Sequence, residues 1–247
     1  MVQKIISSLT VMFLLSVSCI RLNSDDTRSY VPDDLPAPYN QLKELLPFNG
    51  HHFYMNALWM ELVFAIHQPK VVVEVGSWLG GSTRHMASLM DLKGKLYAVD
   101  TFEGSEELLT DERFSWMIPT LYEQFLSNVI HAGLTDRIIP VKMRSTDAAE
   151  FLKNSIGYAD LVYIDAAHDT DSVYQDITAY FSLVAESTGI MCGDDWMHPP
   201  VQVAVMKFAY EQQLTVYVQE NFWLYAKEEG FSLKEFLSPP VAVWQFS

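Results

Sequence analysis

The 247-residue chain predicts a doubly wound α/β fold, a mostly parallel seven-stranded sheet with an N-terminal helical cap and an antiparallel edge hairpin. Three observations carry this reading. Short apolar runs alternate with stretches of helical period, as in a parallel sheet covered by helices on both faces. Several of those runs end in an acid, at Glu74, Asp100 and Asp165. The last two β-rich runs lie too close together for a parallel crossover, so they pair antiparallel.

The elements follow in order. Arg21 to Tyr39 is polar, with four Asp and three Pro, and sets a linker over 21–40. Leu42, Leu45 and Leu46, then Met55, Leu58, Trp59, Leu62 and Val63, fall at helical spacing and predict the helical cap over 41–70. Gly50-His51-His52 separates its halves, and the two histidines read as loop or lid residues. The remaining domain spans 71–247. Val71 to Val75 is the first buried strand. Gly76, Gly80 and Gly81 then form a loop that lets backbone approach a ligand closely. From Ser82 a helix presents Met86, Leu89 and Met90 on one face. Lys95 to Asp100 is the second strand, followed by a polar loop from Thr101 to Trp116 and a helix from Leu121 to Ile130. Ile138 to Met143 is the third strand, with Ser145-Thr-Asp147 capping the next helix. Asp160 to Asp165, a helix over Val173 to Val184, Gly189 to Asp195, and a helix over Val201 to Gln212 complete the parallel part. Leu214 to Val218 and Asn221 to Tyr225 form the hairpin.

Composition bounds the partners. The formal net charge is -15, and no cluster of Lys and Arg exists to neutralise a phosphate backbone, so nucleic acid is excluded. Cys19 and Cys192 alone cannot build a disulfide framework. The first twenty residues are unlike the rest. Lys4 precedes an apolar run from Ile5 to Val17, with Ser16 and Ser18 flanking Val17. That is the layout of a signal peptide. A loose lipoprotein box at Cys19 and an uncleaved anchor are the other readings, so localisation divides between export or membrane attachment and the cytoplasm.

Glu74, Asp100, Asp165, Asp194 and Asp195 fall at or just past strand C-terminal ends, where open α/β sheets bind ligands. Like charges gathered on one rim repel, and a hydroxyl-rich or cationic ligand or a divalent ion offsets that. Asp165, Asp194 and Asp195 offer three hard oxygen donors suited to Mg²⁺. Asp100, twenty residues after Gly80, stands where a carboxylate accepts from both hydroxyls of a ribose. His168, three residues after Asp165, can take a proton as a neutral imidazole. His85 and His131 read as ordinary surface or core histidines, while His198 is a secondary candidate. Trp78, Phe102, Trp116 and Trp196 are candidates for an aromatic pocket.

Glu74-Val-Gly-Ser-Trp-Leu-Gly-Gly-Ser82 resembles the first motif of class I S-adenosylmethionine-dependent methyltransferases, in the form seen in the catechol and caffeoyl-CoA O-methyltransferases. The resemblance covers about Val71 to Tyr225 and implies a Rossmann-like methyltransferase fold. It implies that Gly76 and Gly80 border the methionine part of the cofactor, with Glu74, Ser77 and Ser82 in the same motif. Asp100, beside Thr101, would hold the ribose, and Ser145 and Thr146 match the segment beside the adenine. The metal-dependent branch carries an Asp after the fourth strand and an Asp-Asn pair after the fifth. The matches here are Asp165 and Asp194-Asp195, the second member being Asp. Catechol enzymes place Lys where this chain has His168; sugar O-methyltransferases resembling the macrolide-tailoring enzymes place His there.

The expectation is methyl transfer from S-adenosylmethionine to a hydroxyl of a small-molecule acceptor, assisted by Mg²⁺ or another divalent cation. Asp165 is expected to serve both metal and cofactor. The alternative is an exported or membrane-anchored binding protein that keeps the fold without the chemistry. A nicotinamide dehydrogenase fits poorly, because the loop lacks the Gly-x-Gly-x-x-Gly form.

Overall fold

A computed structural model describes residues 30–186 and 188–226. The predicted leader over 1–20, Cys19 and the tail beyond 226 lie outside the described residues. Among the described residues no helix is long and apolar enough to cross a membrane.

Seven short runs of β-branched and aromatic residues become the strands. They are β1 (Val71–Val75), β2 (Lys95–Asp100), β3 (Ile138–Lys142), β4 (Leu161–Ile164), β5 (Ile190–Gly193), β6 (Thr215–Gln219) and β7 (Phe222–Ala226). The sheet order is β3-β2-β1-β4-β5-β7-β6. β1 to β5 are parallel, and β7 inserts antiparallel between β5 and β6. The register aligns the strand ends, pairing Val75 with Val99 and Ile164, and Ile164 with Gly193. All five parallel strands therefore deliver their C-terminal residues to one edge. Connections leave in opposite directions on the two sides of the β1–β4 pair, which opens a crevice there.

The helices are α1 (Ala57–His67), α2 (Gly81–Leu89), α3 (Glu106–Thr110), α4 (Leu121–His131), α5 (Ser145–Ile156), α6 (Thr170–Phe181) and α7 (Pro199–Gln212). Successive strand side chains point to opposite faces. Val72, Leu96 and Leu161 accordingly pack under α1, α2 and α4, while Val73, Val99 and Val162 pack under α5, α6 and α7. The strands are thus apolar on both faces, which is why they read as runs instead of alternating. Pro199 opens α7, where the missing N–H costs nothing.

The cap departs from its predicted form. Only Ala57–His67 is an α-helix; Tyr39–Gln41 is a single 3₁₀ turn, and 42–56 carries no helix. Pro47 cannot donate to a helix spanning the first leucines. The stretch is tied to α4 instead. Ser127 Oγ accepts from the Leu46 amide at 3.0 Å, and the Asn128 side chain bonds both the amide and the carbonyl of Asn49 at 2.9 Å. Met55 and Leu58, assigned by spacing to an apolar face, are exposed. Tyr39, in the predicted linker, is buried, and its hydroxyl donates to Ile138 O at 2.9 Å.

At the switch point β1 ends in Gly76, whose amide donates to Val99 O at 2.8 Å while Val75 O accepts from Asp165 N at 2.8 Å. Its φ of +90° lies in the left-handed region, and a Cβ there would sit 1.9 Å from Asp165 O. No side-chain movement relieves a backbone clash of that size. Gly76→Ala is expected to lose more than about 4 kcal/mol in urea unfolding or fail to fold. Gly133→Ala, with φ +65° but nothing within 4 Å, should cost only about 1 to 2 kcal/mol.

Candidate active site

Two carboxylates fix the loop after β1. Glu74 is fully buried and accepts from the hydroxyls of Ser77 at 2.7 Å, Ser82 at 2.5 Å and Thr83. Asp100, at the end of the neighbouring strand, accepts from the amides of Ser77 and Trp78, both at 2.9 Å, on one oxygen. Its other oxygen accepts from Phe102 N at 2.7 Å. A carboxylate has about four lone-pair sites, so with three amides bonded Asp100 keeps about one for a ligand hydroxyl. Burial pushes the Glu74 carboxyl up to about 7, against the pull of its hydroxyl partners, and Asp100 adds to the rise. Burial also raises Asp100, although the backbone amides of Phe102, Trp78 and Ser77 oppose it. The loop amides that cradle a phosphate in dinucleotide sites are here spent on Asp100, above a second acid. Such a loop disfavours anions and suits a neutral or cationic group.

A cleft of about 650 Å³ runs along the strand ends, within the range of small-molecule sites. Gly76, Ser77, Ser82, Asp100 and Thr101 line it at one side; Ser145 and Thr146 extend it past β3. Asp165, His168, Asp194 and Asp195 line the other side, joined by His198 and Asn221. Glu74 and Gly80 do not reach it. Glu74 holds the loop from beneath, and Gly80 is the N-cap of α2.

The acidic side is a connected network. His168 Nε2 stands 3.0 Å from Asp195 Oδ2, and its Nδ1 stands 3.4 Å from Glu107 of α3. His198 stacks on His168 with centroids 5.0 Å apart and lies 3.8 Å from Asp195. Asp194 accepts from Asp195 N at 2.7 Å, Asn221 Nδ2 at 2.6 Å and the Tyr163 hydroxyl at 3.2 Å. The hydrogen bond that His168 makes to Asp195 raises the His168 pKa, against burial, and the charges of Asp195 and Glu107 add to the rise. Burial raises Asp195, but His168 and His198 more than offset it and leave the carboxyl low. Asp165 is pushed well above the usual range by burial and then by the charges of Asp194, Asp195 and Glu74.

These donors match a divalent cation in kind, and their mutual repulsion is the deficit a cation would relieve. As oriented they are engaged with protein partners, and among the described residues no three His, Cys, Asp or Glu side chains converge at metal-binding distance.

The structure adds residues that spacing did not single out. Tyr54 lines the cleft, and its hydroxyl lies 3.1 Å from His85 Nδ1, whose Nε2 lies 3.5 Å from Glu61. His85, read as ordinary, is therefore the centre of a Tyr–His–Glu chain. Asn221 and Tyr163 complete Asp194's bonding. The aromatic candidates divide: Trp78 lines the cleft beside His51, Phe53 and Phe114, but Phe102 is buried on Tyr122 and Phe125. Trp116 is exposed, and Trp196 packs under the α5–α7 face.

Residues 73–196, half of the chain, match the family model described as a methyltransferase domain. Among solved structures, an O-methyltransferase from Bacillus cereus in complex with SAH superposes with a TM-score of 0.54 at 17% identity, covering 74% of this chain and 84% of that one. The O-methyltransferase TomG from Streptomyces achromogenes, involved in tomaymycin synthesis and in complex with SAM, gives 0.50 at 16% identity, covering 75% and 82%. These likenesses establish the fold. No curated protein shows significant sequence similarity to the chain.

The Glu74 pKa is testable through stability. A carboxyl raised to about 7 from the ordinary value of 4.5 contributes stability that is full below about 4.5 and lost as pH rises through about 7. The shift corresponds to roughly 3 kcal/mol. Glu74→Gln should therefore gain on wild type by up to that amount between pH 5 and pH 8 in urea unfolding. A pH-independent difference would contradict the raised Glu74 pKa.

Proposed function

Because the chain belongs to the methyltransferase-domain family, we propose that it moves the methyl group of S-adenosylmethionine to a hydroxyl of a small-molecule acceptor, aided by a divalent cation such as Mg²⁺. One observation supports this above others. A single cleft carries an anion-repelling glycine loop with a ribose-ready carboxylate at one side, and an acid–histidine cluster at the other.

S-adenosylmethionine, when bound, supplies an electrophilic methyl on a sulfonium, and its positive charge suits the acidic cleft. Gly76 and Ser77 would border its methionine part, Asp100 would accept from the ribose, and Ser145 and Thr146 would flank the base. A cation held by Asp165, Asp194 and Asp195 would supply positive charge beside the acceptor hydroxyl and lower its pKa. His168 stands beside those carboxylates and would receive the hydroxyl proton once free of the one it shares with Asp195. The protein's main contribution is alignment of the two reactants, since orientation alone removes several kcal/mol from a two-reactant barrier.

Calorimetric titration of S-adenosylmethionine into the protein, with Mg²⁺ and then with EDTA, tests the donor half. Binding is expected in both conditions, and none in either from folded protein would overturn the reading. In an acceptor screen that follows S-adenosylhomocysteine release, Asp165→Ala should lower turnover by about a hundredfold or more. Donor affinity should stay within about threefold of wild type. The same variant should melt higher, because it removes a buried carboxyl whose ionisation is opposed by burial and by the charges of Asp194 and Asp195.

A further inference from the structure

Beyond β3 the cleft has a polar end of which the motif residues Ser145 and Thr146 make up only a part. Strand order fixes what belongs there. With the donor's methionine part at the loop after β1 and its ribose at Asp100 on β2, the next strand outward, β3, receives the base. Ser145 and Thr146 line that end, and Ser172, Gln175 and Asp176 of α6 line it with them.

Asp176 is out of place by composition. It falls within the apolar stripe Val173, Ile177 and Tyr180, and only 4% of it is exposed. Burying a carboxylate is costly, and an aliphatic residue would continue the stripe at no such cost. One oxygen accepts from the Ser145 hydroxyl at 2.5 Å. Among the described residues no donor meets the other oxygen, and it is not a sealed orphan, because the residue opens onto the cleft. The contact between α5 and α6 does not need it, since the Tyr180 hydroxyl already donates to Ser145 O at 2.8 Å. What remains is an acceptor-only group presented to the base end of the cleft.

Such a group discriminates between purines. An exocyclic amine at ring position six donates to a carboxylate, whereas a carbonyl at that position sets lone pairs against it. Sites built to accept a hydrogen bond reject analogues that lack the donor more strongly than apolar pockets reject a change of size. We propose that Asp176 reads the exocyclic amine of the donor's base and selects adenine over a 6-oxopurine, with Ser145 holding the carboxylate in orientation. This assignment rests on the donor reading given above.

Calorimetric titration of the full chain with S-adenosylhomocysteine and with S-inosylhomocysteine separates the two. Wild type should bind the adenosyl compound at least about tenfold more tightly. Asp176→Ala should bring the ratio to within about threefold, by weakening the first ligand and sparing or strengthening the second. Asp176→Asn keeps a partner for Ser145 and serves where the alanine variant fails to fold; its amide can donate to the carbonyl, so the ratio should move the same way. An unchanged ratio in the variants, or equal weakening of both ligands, would reduce Asp176 to packing and overturn the assignment. Wild type binding both ligands equally would overturn this assignment alone. Wild type binding neither would overturn the donor reading and this assignment with it.

Discussion

The hydrogen bonds of three hydroxyls to the buried Glu74 carboxylate are what the rest of the cleft depends on. Ser77 lies in the loop after β1, and Ser82 and Thr83 lie in the first turn of α2. One side chain therefore fixes the end of a strand, the turn above it and the helix beyond. Asp100 clamps the same turn from the side through backbone amides. The two acids explain a chemical preference as well as a shape. A turn whose amides are already satisfied by a carboxylate has little left to offer a phosphate. It leaves a negative field in which a sulfonium or an ammonium is welcome.

The same field imposes a cost on the far side of the cleft. Asp165, Asp194 and Asp195 stand together because β4 and β5 are in register and end at the same level. Tyr163, Asn221 and His168 offset part of their repulsion with donated hydrogen bonds. Asp195 adopts a φ of +63°, a backbone state uncommon outside glycine and asparagine-like residues. Carboxylates held together in this way cost stability wherever their repulsion is left uncompensated.

Much of this was legible in the chain, because sheet strands covered on both faces leave a local signature. The runs at Val71, Lys95 and Asp160 needed no knowledge of their neighbours, and neither did Glu74, Asp100 and Asp165 at their ends. What escaped was long-range. Leu42, Leu45 and Leu46 have helical spacing, yet Pro47 and the bonds from Ser127 and Asn128 hold the stretch in another form. His85 gave no local sign of Tyr54 and Glu61, which come from the cap. The raised pKa of His168 follows from Asp195 and Glu107, which flank it from opposite directions in the chain. Asp176 did leave a trace, as an acid inside an apolar helical stripe. Its pairing with Ser145 spans 31 residues and could not be read from spacing.

The insertion of β7 between β5 and β6 bears on the order in which the protein becomes complete during synthesis. The loop, Glu74 and Asp100 belong to elements made early, and they can pair with one another as soon as β1 and β2 are available. Asp194 is different: Asn221 holds its carboxylate, and the buried Trp223 indole donates to its backbone carbonyl at 2.9 Å. Both residues belong to the hairpin made last among the described elements. A nascent chain that has emerged only as far as α7 holds one half of the cleft and an unpaired β5 edge, the kind of surface that chaperones recognise. The acidic half is assembled only when the hairpin docks.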